Sequence, residues 1–573
     1  MLMNSLVIVL FSAILYVIAY NTYGRFLSKK IFKIDSKNIC PSISKRDDID
    51  FIPTSKMVLF GHHFTSIAGT GPIVGPAIAI IWGWVPALIW ILVGSIFMGA
   101  VHDFGSLMIS LRNQGRSVGD IAGELLGRRV KFLFLIIIFV ALLIVISIFG
   151  VVISQVFTIF PSSVLPVWIQ IPIAIGLGYE VYKKNGSPLF YGLLAVILMY
   201  LSILIGINFP IEINNNILSS DGCWVLILLF YAFIASILPV SILLQPRDYI
   251  NAFQLIIAIG LLILGIFISN PVMVAPNYNL NPADAPPIFP ILFITLACGA
   301  ISGFHCLVSS GTTSKQCSSE KNALSVGYGS MLLEGFLAII VIIACGAGIG
   351  LGIERNGIIL EGFSAFNHHY YSWNSVNGLG EKISAFVTGS SNIISSIGLQ
   401  KDYVIALMGL FVAAFAATTL DTSTRLQRYI LTEISSNFKF HIFKNKYVAT
   451  LFAVGTALIL AFSSGGGKGA FILWPLFGSI NQLLGALALL VITIWLAKKK
   501  TSIIYTLIPL LFMFFITFWA IYYNIQQSLN NDNYLILLIA SIMLFLQIWI
   551  LTEGLIVLFN TKKKKEKINL IEY

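Results

Sequence analysis

Gly61-His62-His63-Phe64-Thr65-Ser66-Ile67-Ala68-Gly69-Thr70-Gly71-Pro72-Ile73-Val74-Gly75-Pro76 is the stretch that decides the fold of this chain. It lies in an apolar segment, yet it contains two histidines, several hydroxyl groups, closely spaced glycines and two prolines. A backbone N–H or C=O group left unpaired in hydrocarbon costs several kcal/mol, so a broken helix survives at membrane depth only where protein or a watery cavity covers it. Secondary transporters build their central sites in this way. We therefore predict a broken membrane helix.

The composition of the whole chain is that of a polytopic membrane protein. Of its 573 residues, 57% are hydrophobic and only 10% are charged, whereas a soluble chain of this length divides into domains with charged exteriors. The formal net charge of +11 would suggest nucleic acid in a soluble protein, but the basic residues fall between apolar segments. This is the positive-inside pattern, so we expect the lipid bilayer as a partner and no nucleic acid. The six cysteines are scattered without a CxxC pair, which argues against a disulfide framework or a zinc site.

Apolar segments of about 20 residues predict an all-α fold with about fifteen transmembrane helices. If every basic cluster is cytoplasmic, the N-terminus lies outside and the C-terminus inside. We divide the chain into a first helix with a basic loop (1–52), a core with broken helices (53–430), and C-terminal helices with a basic tail (431–573). An amphipathic stretch near 382–398 is predicted to be interfacial or re-entrant.

His62 and His63 open the predicted broken segment. Ionisable groups at membrane depth cost at least ~2.5 kcal/mol each, so each needs a function or a partner. Imidazole titrates near neutral pH, which suits a substrate or proton site, although a structural pair is the alternative. Adjacent helical residues differ by about 100°, so we expect one histidine to work and the other to brace. The candidate substrate or ion ligands that follow are Thr65, Ser66, Gly69, Thr70 and Gly71.

Two further histidines lie within apolar spans. His102 and its neighbour Asp103 come near the inner end of the third span, where we expect either a role in coupling or a snorkelling pair. Ser302, His305 and Ser309 follow the spacing i, i+3, i+7 and would share one helix face as a polar stripe, either for a ligand or for contact between helices. Thr312 continues the same hydroxyl-rich segment as a candidate ligand.

Buried charge is also predicted later in the chain. Asp421, Arg425 and Arg428 share one helix face, so an internal ion pair there could serve as a cytoplasmic gate or as a structural clamp. Glu334 is a lone acid deep in a span and a plausible proton carrier. Two prolines on either side of Ser241 break a helix near its cytoplasmic end, which would free carbonyls for a ligand or simply stop the helix.

Several motifs follow one another along the chain: Gly61-His62-His63-Phe64, Gly71-Pro72-Ile73-Val74-Gly75-Pro76, Gly99-Ala100-Val101-His102-Asp103-Phe104, Arg112 with Gly115-Arg116-Ser117, Pro246-Arg247-Asp248-Tyr249, Thr419-Leu420-Asp421-Thr422 and Gln427-Arg428-Tyr429. Together they resemble the carbon starvation protein A family over about residues 55–500. The resemblance implies a secondary transporter of the bacterial cytoplasmic membrane, with a five-plus-five inverted-repeat core of the LeuT or amino acid–polyamine–organocation type and extra helices. It also implies uptake of peptides or pyruvate under carbon starvation, with protons. The second broken helix would be the span at 223–243 or the span at 288–309.

The first functional hypothesis is a proton-coupled importer of small carboxylates or short peptides, with Na⁺ as the other coupling ion to consider. The break would offer free N–H groups to a carboxylate, and His62, His63 or His305 would carry the proton. The second is a metal-ion or other ion channel that uses these histidines with His102 and Cys306, although their spacing matches no metal motif. No hydrolase, protease or phosphate-loop motif is present, so we predict neither an enzyme nor a cofactor. The substrate and the oligomeric state stay open.

Overall fold

The computed structural model describes residues 4–215, 218–355, 357–438, 441–463, 466–467 and 469–571. This part of the chain is helical almost throughout, apart from one antiparallel hairpin of β1 (Ile353–Arg355) and β2 (Ile358–Leu360). The helices up to residue 270 are α1 (Ser5–Ala19), α2 (Pro41–Ser44), α3 (Lys56–Ile67), α4 (Gly71–Ala79), α5 (Trp84–Gly94), α6 (Ala100–Arg112), α7 (Val118–Leu126), α8 (Arg128–Ile159), α9 (Val164–Gly178), α10 (Pro188–Asn208), α11 (Ser220–Ile237) and α12 (Leu244–Ser269).

The helices after residue 270 include several short pieces. They are α13 (Ile288–Thr295), α14 (Ala297–Ala300), α15 (Phe304–Val308), α16 (Ser314–Gln316), α17 (Ser330–Ile343), α18 (Gly362–His369), α19 (Trp373–Val376), α20 (Leu379–Ser395), α21 (Lys401–Phe438), α22 (Lys446–Phe462), α23 (Trp474–Lys498), α24 (Ile504–Asn530) and α25 (Tyr534–Ile571). Turns of π-helix or 3₁₀-helix extend α1, α9 and α17 and join α5 to α6.

Twelve helical segments of the described chain are long and apolar enough to cross a membrane, and the bent pair α3–α4 makes a thirteenth. The predicted number of about fifteen is therefore not confirmed. Two further apolar segments are not among these thirteen: the predicted span at 288–309 is divided among α13, α14 and α15, and α22 has only 17 residues. The twelve segments are Ser5–Ile31, Trp84–Arg112, Arg128–Ile159, Pro161–Lys183, Pro188–Asn208, Ser220–Ile237, Leu244–Ser269, Glu320–Leu351, Lys401–Ser436, Gly469–Lys498, Ile504–Asn530 and Tyr534–Asn560.

The interior of the bundle is formed by α8, α17, α21 and α23, whose side chains are mostly buried on every face. A helix that is apolar all round needs such surroundings. α8 packs along α21, α3 packs against α12, and α4 packs against α14, α17 and α20. By contrast, α1, α10, α24 and α25 expose many large apolar side chains, as expected for helices that face lipid.

The two ends of the bundle differ in charge. Contacts gather basic side chains at one end, which we call the basic end: Arg112 pairs with Glu320, Lys498 donates to the carbonyl of Leu125, and Arg425 pairs with Asp50. α17 starts near this end and α21 returns to it, so residues 352–400 between them lie at the opposite end, which we call the far end. There α20 packs between α4, α12 and α21. The amphipathic stretch predicted near 382–398 lies largely in this helix.

Candidate substrate and proton site at two helix breaks

The predicted broken helix is present, and its break leaves backbone groups unpaired. α3 ends at Ile67, α4 begins at Gly71, and the two helices are bent by 45°. Among the described residues, the amide N–H groups of Gly69, Thr70 and Gly71 have no hydrogen-bond partner. All three residues are buried or nearly so. Because a helix N-terminus carries partial positive charge, these amides form a site suited to an anion.

A second break lies directly against the first. The segment 288–309 is interrupted between α13, α14 and α15. A Cβ atom on Gly71 would lie 2.3 Å from the sulfur of Cys298, and one on Gly75 would lie 2.3 Å from the carbonyl oxygen of Thr295. These distances are shorter than any real Cβ contact, so only glycine lets the two broken segments approach this closely.

Asn481 of α23 holds the second break open. Its carbonyl accepts from the N–H of Gly303 at 3.0 Å, and its side-chain oxygen accepts from the N–H of Phe304 at 2.9 Å and from Ser302 at 3.2 Å. Ser302 therefore precedes α15, which contains His305 and continues as π-helix from Ser309. The prediction that Ser302 shares one helix face with His305 and Ser309 is wrong. Ser302 bonds to Asn481, whereas His305 faces α6.

A cavity of about 610 Å³ leads from the far end to both breaks. Its floor includes Gly71, Gly75 and Cys298, and its rim includes Asn531 and Asp284. This volume lies within the range of small-molecule sites. The walls combine aliphatic, aromatic and amide side chains; the aromatic and amide residues include Trp373, Asn374, Asn377, Trp474, Phe477, Tyr523, Asn524 and Gln527.

His62 and His63 have different partners, as their adjacent positions on one helix predict. His62 Nδ1 lies 2.6 Å from Asp248 Oδ2, and both side chains are fully buried. Its Nε2 lies 3.3 Å from the hydroxyl of Thr312. His63 Nδ1 lies 2.8 Å from the hydroxyl of Thr313, and its Nε2 has no partner. The His62–Asp248 pair thus joins the inner half of the broken helix to α12.

The hydroxyl groups of the broken segment continue this contact. Ser66 donates to Asp248 Oδ2 at 3.4 Å and also lies 3.4 Å from the hydroxyl of Thr422 on α21. Thr65 donates to the carbonyls of Gly61, at 2.9 Å, and of Asp248, at 3.3 Å. Both hydroxyls therefore bind α12 and turn away from the far-end cavity.

Four titratable side chains form a second buried cluster, composed of His102, Asp103, His305 and Glu334. Asp103 accepts from His102 Nδ1 at 2.9 Å and from His305 Nδ1 at 3.0 Å. Glu334 Oε2 lies 3.3 Å from His305 Nε2, but neither oxygen of Glu334 makes a hydrogen bond. All four side chains are fully buried, so the predicted snorkelling of His102 and Asp103 is wrong.

This cluster of four lies just beyond the second break. A Cβ on Gly299 of α14 would meet Ala338 of α17 at 2.7 Å. Glu334 lies one helical turn before Ala338, on the side of the basic end. Two carboxylates among imidazoles, with no arginine paired to either in the described part of the chain, are stable only while protons neutralise part of their charge. The arrangement can therefore bind and release protons.

The ion pairs of α21 differ from the predicted one. Asp421 pairs with Arg247 of α12 at 2.5 Å and accepts from the hydroxyl of Tyr231 at 2.9 Å. Arg425 instead reaches Asp50 of the first loop at 3.1 Å and donates to the carbonyl of Leu238. The predicted Asp421–Arg425 pair is wrong, because Asp421 turns to Arg247 of α12 whereas Arg425 turns to Asp50 of the first loop.

Asp50 ties the first loop to α21 at the basic end. Besides Arg425, it accepts from the hydroxyl of Tyr429 at 2.5 Å. Burial by itself would raise the pKa of this carboxyl, but the nearby cations Arg425 and Lys315 outweigh burial and hold its pKa below the ordinary value.

The remaining predicted residues are dispersed. Ser241 lies in the turn between α11 and α12, half-buried and away from the breaks. Ser309 is buried without a partner for its hydroxyl. Within the described residues, no group of three or more His, Cys, Asp and Glu side chains is arranged to hold a metal ion, and Cys306 is a free, buried thiol.

Several residues of this site were not predicted from the sequence. Arg247 and Asp248 were visible in the Pro-Arg-Asp-Tyr motif, but nothing indicated that their partners would be Asp421 and His62. Nothing in the sequence indicated that Tyr231 belongs to the site, since tyrosine is common in apolar spans. These partners lie up to 190 positions apart in the chain and meet only through helix packing.

Comparisons with known proteins match most of the chain to one family. A model of the family "Carbon starvation protein CstA" matches residues 4–352 and 363–520. The "Peptide transporter CstA" of Campylobacter jejuni is 34% identical over 583 residues, which cover 92% of this chain and 81% of that protein. The "Pyruvate/proton symporter BtsT" of Escherichia coli is 32% identical over 593 residues, covering 90% and 81%. The "Peptide transporter CstA" of Bacillus subtilis is 31% identical over 564 residues, covering 93% and 92%.

Solved structures resemble the fold only distantly. MhsT in complex with L-phenylalanine matches with a TM-score of 0.46 and 13% identity, over 81% of this chain and 99% of that one. A manganese transporter of Eremococcus coleocola matches with a TM-score of 0.44 and 12% identity, over 90% and 99%.

Proposed function

Because the chain belongs to the carbon starvation protein CstA family, and is thus a multi-pass transporter of the bacterial cytoplasmic membrane, we propose that it imports small carboxylates or short peptides together with protons. The observation that carries this proposal is the row of unpaired amides at Gly69–Gly71, on residues that adjoin the floor of the far-end cavity. The relatives named as peptide transporters and as a pyruvate/proton symporter agree with both substrate classes. Import would serve the cell under carbon limitation.

The orientation follows from charge. Basic side chains gather at the basic end, and the positive-inside rule assigns that end to the cytoplasm. The far-end cavity then opens to the outside. A substrate carboxylate would enter it, reach the N-terminal end of α4 and accept hydrogen bonds from amides that no protein group satisfies.

The proton would bind to the cluster of His102, Asp103, His305 and Glu334. Glu334 is the best acceptor within it, because its oxygens make no hydrogen bond. It also lies one helical turn from Ala338, which packs against Gly299, the residue after Cys298 on the cavity floor. His62 with Asp248 would act as the inner latch, since it holds the half-helix α3 against α12 at the basic end of the break. Opening toward the cytoplasm would require this pair to separate.

The helix contacts support a five-plus-five inverted repeat. We assign α3/α4, α5/α6, α8, α11 and α12 to one half, and α13–α16, α17, α21, α22 and α23 to the other. In the first half the broken segment packs on its last helix, α12, and in the second half the broken segment packs on α23. The linker helices α7 and α20 correspond as well: α7 contacts α8 and α23, while α20 contacts α21 and α12. α1, α9, α10, α24 and α25 would be additions.

Transport into proteoliposomes tests the proposal. The purified protein is reconstituted, an inward pH gradient is imposed, and uptake of labelled pyruvate, dialanine and trialanine is measured. We expect accumulation of at least one substrate that collapses with a protonophore. Accumulation that depends on a sodium gradient and not on the pH gradient would show that the coupling ion is Na⁺ and not the proton. No uptake of any carboxylate would refute the proposed function.

A further inference from the structure

Lys382 is a buried cation in the wall of the far-end cavity. Only 2% of its surface is exposed, and its Nζ donates to the side-chain oxygen of Asn377 at 3.2 Å. The same atom lies 5.0 Å from the centre of the Trp474 ring. No carboxylate of the described residues lies within 4.0 Å of it. The ammonium group therefore lacks a counter-ion.

One amide oxygen and one ring compensate poorly for the lost hydration of an ammonium group. Burial accordingly lowers the pKa of Lys382 to about 7. An anion from the cavity would restore the balance, because a desolvated ion is stabilised mainly by a paired opposite charge. Every other buried cation described above has such a carboxylate: Arg247 has Asp421, and Arg425 has Asp50.

The cavity joins Lys382 to the break. Both Lys382 and Gly71 line it, and among the described residues no other basic side chain does. Asp284, the one acidic lining residue in this part of the chain, accepts from Asn374 at 3.3 Å and is exposed at the rim. The aromatic walls give apolar contact for the rest of a ligand.

We propose that Lys382 and Asn377, with Trp474 beside them, form a binding site for the carboxylate group of an organic anion in the outer cavity. It is a capture site separate from the amides of the break. This proposal rests on the proposed function in one respect: import gives the direction in which the carboxylate moves, from Lys382 in the outer cavity to Gly71 at the break. Both pyruvate and the C-terminus of a peptide carry this group.

The test compares Lys382→Met and Lys382→Gln with Lys382→Arg, which keeps the charge. Lys401→Met is the matched control, because Lys401 is an exposed lysine at the start of α21 on the same end. Uptake kinetics are measured for pyruvate and for trialanine. We expect Lys382→Met and Lys382→Gln to raise the KM about tenfold with Vmax within twofold, while Lys382→Arg and Lys401→Met stay near wild type. An unchanged KM in Lys382→Met and Lys382→Gln, or equal impairment in Lys382→Arg, would overturn the proposal.

Binding without transport separates this proposal from the proposed function. Thermal stabilisation of the detergent-purified protein is titrated with pyruvate, trialanine and trialanine amide. We expect the two acids to stabilise the wild type and Lys401→Met but to require about tenfold more ligand in Lys382→Met, with the amide weak throughout. If the protein binds these acids through Lys382 but transports none, the proposed function fails and the capture site stands. If no acid stabilises the wild type, or the amide equals the acid, the capture site is refuted.

Discussion

Glu334→Gln should uncouple transport from protons while leaving substrate exchange intact. Glu334 Oε2 lies 3.3 Å from His305 Nε2 in a fully buried cluster. Two unit charges at that distance attract by about 5 kcal/mol at an effective dielectric constant of 20. Desolvation of each ion costs several kcal/mol in the opposite direction. The two effects are comparable, so protonation of Glu334 is finely balanced and the site can load and release a proton. Glutamine is close in shape to protonated glutamate and fixes the loaded state.

The expected size of the effect follows from the driving force. One pH unit is worth about 1.4 kcal/mol, so a transporter that moves one proton per substrate accumulates its substrate about tenfold. Proteoliposomes with Glu334→Gln should reach a ratio of about one under the same gradient, yet exchange labelled for unlabelled substrate at a rate near wild type. Glu553→Gln is the matched control, since Glu553 lies in the span of α25 and is only partly buried. If Glu334→Gln still accumulates substrate about tenfold, the assignment of the proton site is refuted.

Three further variants test the packing around the breaks and the basic end. Gly75→Ala should destabilise the protein by about 1–3 kcal/mol through overpacking, because its Cβ would meet the carbonyl of Thr295; a melting temperature equal to wild type would contradict the close approach. Asp421→Asn removes the carboxylate 2.5 Å from the buried Arg247 and leaves it only Asp248, at 4.0 Å, so it should cost about 3–5 kcal/mol. Asp421→Leu combined with Arg247→Met should cost less; thermal melting in detergent measures both, and a single variant less destabilised than the double variant would contradict the role given to the ion pair. Asp50→Asn should lower the melting temperature at neutral pH. Since the folded pKa of Asp50 lies below its unfolded value, its stabilisation is complete above the unfolded pKa and is lost as pH falls through the folded pKa. The difference in melting temperature between Asp50→Asn and wild type should therefore become smaller as the pH is lowered. A difference that does not change with pH would contradict the lowered pKa of Asp50 in the folded protein.

The break at Gly69–Gly71 was predictable from the sequence because local chemistry dictates it. Closely spaced glycines followed directly by a proline, as in Gly69-Thr70-Gly71-Pro72, disfavour a continuous helix through local backbone chemistry, and the different directions of His62 and His63 follow from helical geometry alone. The membrane class also follows from composition and from the distribution of basic residues. Both are properties of short windows of sequence.

The partners of the buried charges were not predictable in this way. Spacing placed Asp421 and Arg425 on one face, but spacing within one helix does not show which distant segment each side chain will meet. Asp421 therefore turned to Arg247, and Arg425 turned to Asp50. Lys382 gave no signal either, because an isolated lysine in an amphipathic stretch is ordinary until a cavity is found beside it.

Substrate protection of Cys298 tests most directly whether the outer cavity leads to the substrate site. Cys298 lies on the cavity floor beside Gly71, and Cys40, Cys306, Cys317 and Cys345 are buried. In a Cys223→Ser background, which removes the other partly exposed cysteine, intact cells are treated with a membrane-impermeant thiol reagent and modification of Cys298 is followed by mass spectrometry. We predict modification from the outside that slows severalfold with saturating pyruvate or peptide. Modification that substrate does not slow, or that occurs only from the cytoplasmic side, would contradict the account.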